Sequence, residues 1–151
     1  MTESRAITAY IAQEYADKGA QLVYTTGKHL PTYLIWLEVE AHHFNPASSP
    51  LVWEQYYKPI MGIPQDTAAI EEHETKLAKV LDVYEKRLAE SKYLAGDNFT
   101  LADLHHLPNI SALMGTPSKK LVAARPHVSK WVADITSRPA WAKVLALQNQ
   151  K

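Results

Sequence analysis

Seven histidines are the first groups in this 151-residue chain that could do chemistry. Glu38, His42 and His43 fall about one helical turn apart, and His105-His106 follow Asp103. A zinc site needs three or four such ligands converging on one point. Neighbouring residues on a helix point roughly 100° apart, so at most one histidine of each pair faces a given site. No H-E-x-x-H pair occurs, and the histidines read as ordinary surface and half-buried side chains. Nucleophilic catalysis has no firmer footing. The chain contains no cysteine, which excludes thiolate catalysis, disulfides, Cys-ligated zinc and iron–sulfur clusters. No serine stands in G-x-S-x-G, and five glycines are too few for a phosphate-cradling loop or a dinucleotide fingerprint. Glu71-Glu72 opens a charge-rich helix and reads as a solvated dipole partner, not an acid–base dyad. These residues assign no catalytic group and no metal.

One row of side chains does have binding chemistry. Trp53, Tyr57 and Met61 recur every four residues, with Tyr56 beside them. Apolar periodicity by itself favours a helix that buries its aromatics in the core. The alternative is a groove for an apolar ligand. Phenol hydroxyls and the indole N–H would be its polar handles, and the thioether a deformable wall. Spacing does not choose between them.

The elements that must position this row read as helices. Lys plus Arg and Asp plus Glu number 16 each, so the net charge is zero, and the chain offers no long-range field to nucleic acid or acidic lipid. With 46% apolar and 21% charged residues, the composition is that of an ordinary globular domain. No apolar run approaches the roughly 20 residues of a membrane span, and residues 1–12 lack the apolar core of a signal peptide. A soluble cytoplasmic protein with no membrane or nucleic-acid partner is the expectation. No segment alternates in the manner of a strand, which predicts an all-α bundle of roughly six to seven helices.

Ile7, Ile11 and Tyr15 mark a first helix over residues 4–18, with Gly19 as its stop. A long helix follows from Pro31, expected to break or kink at Asn45-Pro46 and restart at Ser48-Ser49-Pro50. The clearest helix spans residues 67–91. Asp66 is its N-cap, Ile70, Leu77, Leu81, Tyr84 and Leu88 its apolar stripe, and Glu72–Lys76 and Asp82–Lys86 its favourable i,i+4 pairs. Thr100 and Asp103 form a capping box with Phe99 and Leu104 as its staple, and the apolar segment 104–114 predicts that Asp103 is buried. Thr116-Pro117, Arg125-Pro126 and Arg138-Pro139 mark three short closing helices, to which Trp131 and Trp141 contribute large core side chains.

Several stretches are also familiar. Glu3-Ser4-Arg5-Ala6-Ile7, Trp36-Leu37-Glu38-Val39-Glu40-Ala41, Tyr93-Leu94-Ala95-Gly96-Asp97, Phe99-Thr100-Leu101-Ala102-Asp103 and Arg138-Pro139-Ala140-Trp141 resemble plant phi-class glutathione S-transferases. The resemblance covers nearly the whole chain. It implies a subunit with a thioredoxin-like domain that binds glutathione and a helical domain that shapes the electrophile pocket. Residues 1–151 correspond to the helical part as a single domain, with residues 1–18 the helix that closes the thioredoxin-like part. The family's thiolate-activating serine turn and cis-proline loop have no counterpart in this sequence, so the chain reads as truncated.

By the same resemblance, Glu3 and Ser4 match the pair that binds the γ-glutamyl end of glutathione. Trp53, Tyr57 and Met61 match the electrophile-pocket wall, which raises the groove reading. Ala112 stands where relatives carry an aromatic, implying a wider pocket, and Thr100 and Asp103 match the family's structural capping box. The implied function is conjugation of glutathione, as co-substrate and without other cofactor, to apolar electrophiles in detoxification. The helical half is expected to be inactive alone, and whether it is an enzyme stays open. The alternative is a non-catalytic module for apolar-ligand binding or homodimerisation.

Overall fold

Residues 2–148 are described by a computed structural model; Met1 and residues 149–151, the ends of the expected 1–151 domain, lie outside the described residues. In chain order the helices are α1 (Ser4–Glu14), α2 (Leu30–Val39), α3 (Asn45–Val52), α4 (Lys58–Ile60), α5 (Thr67–Glu90), α6 (Leu101–Leu104), α7 (Leu107–Met114), α8 (Lys119–Ala123), α9 (Pro126–Thr136) and α10 (Pro139–Gln148). Two π turns, Glu40–Phe44 and Trp53–Tyr57, join α2 to α3 and α3 to α4. The fold is all-α, and among the described residues the only β pairing is an isolated bridge between Tyr93 and Gly96.

The expected break at Asn45-Pro46 does not occur. Residues 30–60 form one continuous helical rod. Pro46 and Pro59 have no N–H to give the carbonyls four residues back, His42 and Gln55, and their rings would crowd those carbonyls in a regular helix. Each of these carbonyls lies in the middle of a π turn. There the backbone closes i→i+5, from Asn45 N–H to Glu40 C=O and from Lys58 N–H to Trp53 C=O. The wider turn admits the ring without ending the rod. Pro50 sits inside α3 with no such turn.

Helix α1 is shorter than expected, ending at Glu14 with residues 15–18 continuing as turns. No residue of α1 is fully buried, so tertiary packing does not hold its last turn. The apolar segment 104–114 is divided at His105-His106. Pro108 cannot donate to the Leu104 carbonyl and instead occupies the first turn of α7.

The core gathers around α5, which buries Leu77, Leu81, Tyr84 and Leu88 along the anticipated stripe. Phe44 and Leu51 from the rod, Ile110 and Leu113 from α7, and Val128, Trp131 and Ile135 from α9 complete it. The Tyr84 ring meets Trp36 edge-on at 4.8 Å, and its hydroxyl lies 2.9 Å from His106 Nε2. Asp66 caps α5 as expected, accepting from the amides of Ala68 and Ala69. Glu72 pairs with Lys76, but Asp82 does not pair with Lys86. Its Oδ1 lies 2.6 Å from Arg125 Nη2, and that guanidinium also donates to the Ala78 and Leu121 carbonyls. A planar fork satisfied by three acceptors outcompetes a flexible ammonium on the wet face.

Candidate functional site: an aromatic wall and the first turn of α1

The second π turn carries Trp53, Tyr56 and Tyr57, and Met61 follows α4. All four face outwards, 44%, 41%, 49% and 60% exposed. The core reading of this row is therefore overturned. The inward side of the stretch is polar, because Glu54, only 6% exposed, points there instead. Tyr57 lies 6.4 Å from Trp53 with ring planes 35° apart, and Tyr56 meets Tyr57 at 5.2 Å and 90°. The result is a corner of flat aromatic faces, and Ile60 and Ile63, next in the chain, are exposed as well.

Beneath the wall, polar bonds fasten the end of the rod. Glu54 Oε1 lies 2.7 Å from Lys58 Nζ, and Oε2 accepts the Asp66 amide at 2.7 Å. The Asp66 N–H and the Lys58 ammonium hold the Glu54 carboxyl below the usual carboxylate range. Asp66 in turn caps α5. On the next position, Gln55 Oε1 accepts from the Ser118 hydroxyl at 2.8 Å, tying the turn to the segment before α8.

The second group lies at the start of α1. Glu3 is exposed, at the N-cap position with φ +65°, a left-handed backbone uncommon for a residue with a Cβ, and its side chain makes no capping bond. Ser4 opens the helix and borders a cleft of about 420 Å³ between α1, α7 and α10, with Phe99, Leu107 and Trp141 among its walls. None of Trp53, Tyr57 and Met61 lines that cleft. Ala112 on α7 packs half-buried against the core and does not line it either.

Beside Ser4, the Arg5 guanidinium clasps the buried Glu40 carboxylate through two bonds, 2.7 and 2.9 Å, and this partner raises its pKa. The Thr8 hydroxyl donates to a carbonyl of its own helix, Ser4 or Arg5, and stands 2.9 Å from His105 Nε2. Burial, with Arg5 nearby, pulls the His105 pKa down to about 4, so at neutral pH the ring is uncharged and shares a hydrogen bond with the Thr8 hydroxyl. Both contacts join residues far apart in the chain, which no local pattern announces.

The capping box is present: Asp103 accepts the Thr100 amide at 3.0 Å, while the Thr100 hydroxyl accepts from Ala102 at 3.3 Å. The buried Asp103 also accepts from the Leu94 amide at 3.0 Å and the Trp131 indole at 2.9 Å, two donors the motif does not reveal. Among the described residues no three His, Asp or Glu side chains converge as a metal site, and exposed His42 pairs with Glu38 at 3.0 Å. Among them, too, no helix is long and apolar enough to cross a membrane.

The family model for the glutathione S-transferase C-terminal domain matches residues 39–139, from the last residue of α2 to the first of α10. The chain belongs to this family. Its relatives place it with the plant phi class. Glutathione S-transferase F6 of Arabidopsis thaliana is 60% identical over 143 residues, covering 95% of this chain and 68% of the relative. Among solved structures, glutathione S-transferase III in apo form superposes with a TM-score of 0.92 at 49% identity, covering 97% of this chain and 67% of that one. Maize glutathione S-transferase I, solved with an atrazine glutathione conjugate, gives 0.87 at 36%, covering 99% and 69%. The all-helical architecture described above is that of this family's C-terminal domain, and the aromatic row stands on its second π turn.

Proposed function

We propose that this chain supplies the electrophile-binding helical part of a phi-class glutathione transferase, in which a glutathione thiolate attacks an apolar electrophile in detoxification. The observation that carries this is the outward-facing cluster of Trp53, Tyr56, Tyr57 and Met61. Large apolar side chains gathered on a surface mark a binding site more often than a packing accident. Trp53, Tyr57 and Met61 are the wall for the electrophile. Glu3 and Ser4 take the γ-glutamyl end of glutathione, the carboxylate facing the ammonium and the helix N-terminus facing the carboxylate. Glutathione is the co-substrate and no other cofactor is used. Residues 1–151 act as one domain, residues 1–18 forming its link to the glutathione-binding part, in a cytoplasmic setting.

Attack requires the thiol to ionise near neutral pH. The basic groups bordering the cleft beside Ser4 are otherwise engaged: Arg5 with Glu40, Arg138 over the Phe99 ring, and His105, uncharged, with Thr8. The 151 residues by themselves thus give negligible turnover while retaining affinity for apolar ligands. Conjugation of a chromogenic aryl halide, followed beside an intact relative, tests the first half of this statement. A rate near the relative's would refute it. Fluorescence titration with the neutral dye N-phenyl-naphthylamine tests the second half. Dye binding that Tyr57→Ala leaves unchanged would refute the wall.

A second reading rests on α1 and its C-cap, where Tyr10, Ile11 and Tyr15 are all exposed. Such a face suits association, with a second copy as the occupant. Light scattering over a concentration series that shows only monomer would dismiss it.

A further inference from the structure

The wall residues Trp53, Tyr56, Tyr57, Ile60 and Met61 carry no formal charge, yet a cation lies in their midst. Lys58 follows Tyr57 directly, and in the π turn its amide bonds to the Trp53 carbonyl, which sets its backbone one turn above that of Trp53. A regular helix would set it above Glu54 alone. The i→i+5 closure leaves it between the two columns, free to lean towards either. It leans towards Glu54: the ammonium sits 2.7 Å from Oε1, and its side chain is only 15% exposed. Glu54 is itself fixed from the other side by the Asp66 amide, so the pair cannot swing outwards as a unit.

We propose that Glu54 sets the charge selectivity of the aromatic wall. By holding the Lys58 ammonium away from the indole and phenol faces, it leaves a surface that takes neutral flat aromatic ligands and offers nothing to an anion. Glu54 is thus a positioning residue that acts through Lys58. This rests on the reading of Trp53, Tyr57 and Met61 as a ligand wall and names the ligand class that wall prefers.

The test uses the full chain and two dyes with a shared ring system, neutral N-phenyl-naphthylamine and anionic anilinonaphthalene sulfonate, titrated by fluorescence. Glu54→Gln keeps an acceptor for the Asp66 amide while releasing Lys58. The ratio of anionic to neutral dye affinity should rise by on the order of fivefold in this variant, the scale of one exposed ion pair. Adding Lys58→Met should return it to the wild-type value. Lys58→Met alone should leave the ratio within about twofold of wild type, because the ammonium is already sequestered. An unchanged ratio in Glu54→Gln, or a gain that survives Lys58→Met, would overturn the proposal. If Glu54→Gln does not melt cooperatively, the single Lys58→Met decides, since a fivefold loss of the anionic dye would show that Lys58 already serves ligands. Tyr57→Ala separates this from the wall itself. If it weakens both dyes while the ratio ignores Glu54, the charge-selectivity assignment alone fails; if neither dye responds to Tyr57, the wall falls and this proposal with it.

Discussion

Replacing Asp103 by alanine removes the acceptor of four donors at once. The Leu94 and Thr100 amides and the Trp131 indole approach its carboxylate at 3.0, 3.0 and 2.9 Å, and the Thr100 hydroxyl at 3.3 Å. The hydroxyl can rotate towards another acceptor, whereas the three N–H groups are fixed by the backbone and by a buried indole. Each buried donor left unpaired costs about 1–3 kcal/mol, for a gross loss of about 3–9 kcal/mol. Part of this is offset. Burial pushes the Asp103 carboxyl up despite its donors, so removing it also relieves a desolvated charge.

A net destabilisation of about 3–4 kcal/mol is expected, a large fraction of a typical domain's stability. For a chain of this size that lowers Tm by roughly 10 °C. Asp103→Asn keeps one of the two oxygens and should lose about half as much. Urea unfolding followed by tryptophan fluorescence, together with thermal melting by circular dichroism, measures both variants. A loss under about 1 kcal/mol in Asp103→Ala at an unchanged m-value, or an Asn variant less stable than the Ala variant, would refute this account of the network.

Acid should destabilise the fold before its carboxylates titrate. Burial lowers His106 to about 3 and His105 to about 4 from an ordinary 6.5, so the unfolded chain takes up protons that the folded one refuses. Their contribution is complete above pH 6.5 and declines below it, with a slope of about 1.4 kcal/mol per pH unit for His106 alone. Urea midpoints that stay level from pH 6.5 to 5 would contradict this. Glu54 and Glu85, both held below their ordinary 4.5, add their own loss only lower still. Arg5→Met leaves the buried Glu40 carboxylate without its cation and should cost about 2–3 kcal/mol, discounted because Arg5 is part-exposed. Hydrogen exchange should then accelerate in α1 while α5 stays protected. Tyr57→Ala, at a half-exposed position, should change stability by under about 0.5 kcal/mol yet weaken dye binding at the wall.

The parts of the fold that were legible in advance are those where one local rule decides. Leu77, Leu81, Tyr84 and Leu88 repeat at the helical period and all four are buried. Asp66 and Thr100 sit before apolar runs and both cap. Partners distant in sequence were not legible. Asp82 had Lys86 one turn away on its own helix, yet Arg125 reaches it from the start of α9, and nothing local to residue 82 announces that approach. Arg5 and Glu40 are 35 positions apart and meet only because the fold brings the start of α1 to the first π turn. The candidate glutathione pair, Glu3 and Ser4, was legible by resemblance alone, since a carboxylate beside a hydroxyl at a helix start carries no signal of its own.

The aromatic row shows why periodicity misled. Trp53, Tyr57 and Met61 repeat as a core stripe does, and a repeat says that side chains share a face without saying what that face meets. Which side of a helix turns inwards depends on where its neighbours bond. Here the neighbours bond through polar atoms: Glu54 to the Asp66 amide and Gln55 to Ser118. A buried carboxylate with two partners and a half-buried acceptor with a hydroxyl cost less to enclose than they would unpaired. With those two residues turned inwards, the geometry of the turn leaves the rings no place but the outside. Pro59 contributes by requiring a wider turn at Gln55, and the same widening sets Lys58 over Trp53. A residue usually read as a helix breaker thus preserves the rod, and the irregularity that admits it places an indole and two phenols on one exposed turn, with a restrained ammonium held just beyond it against Glu54.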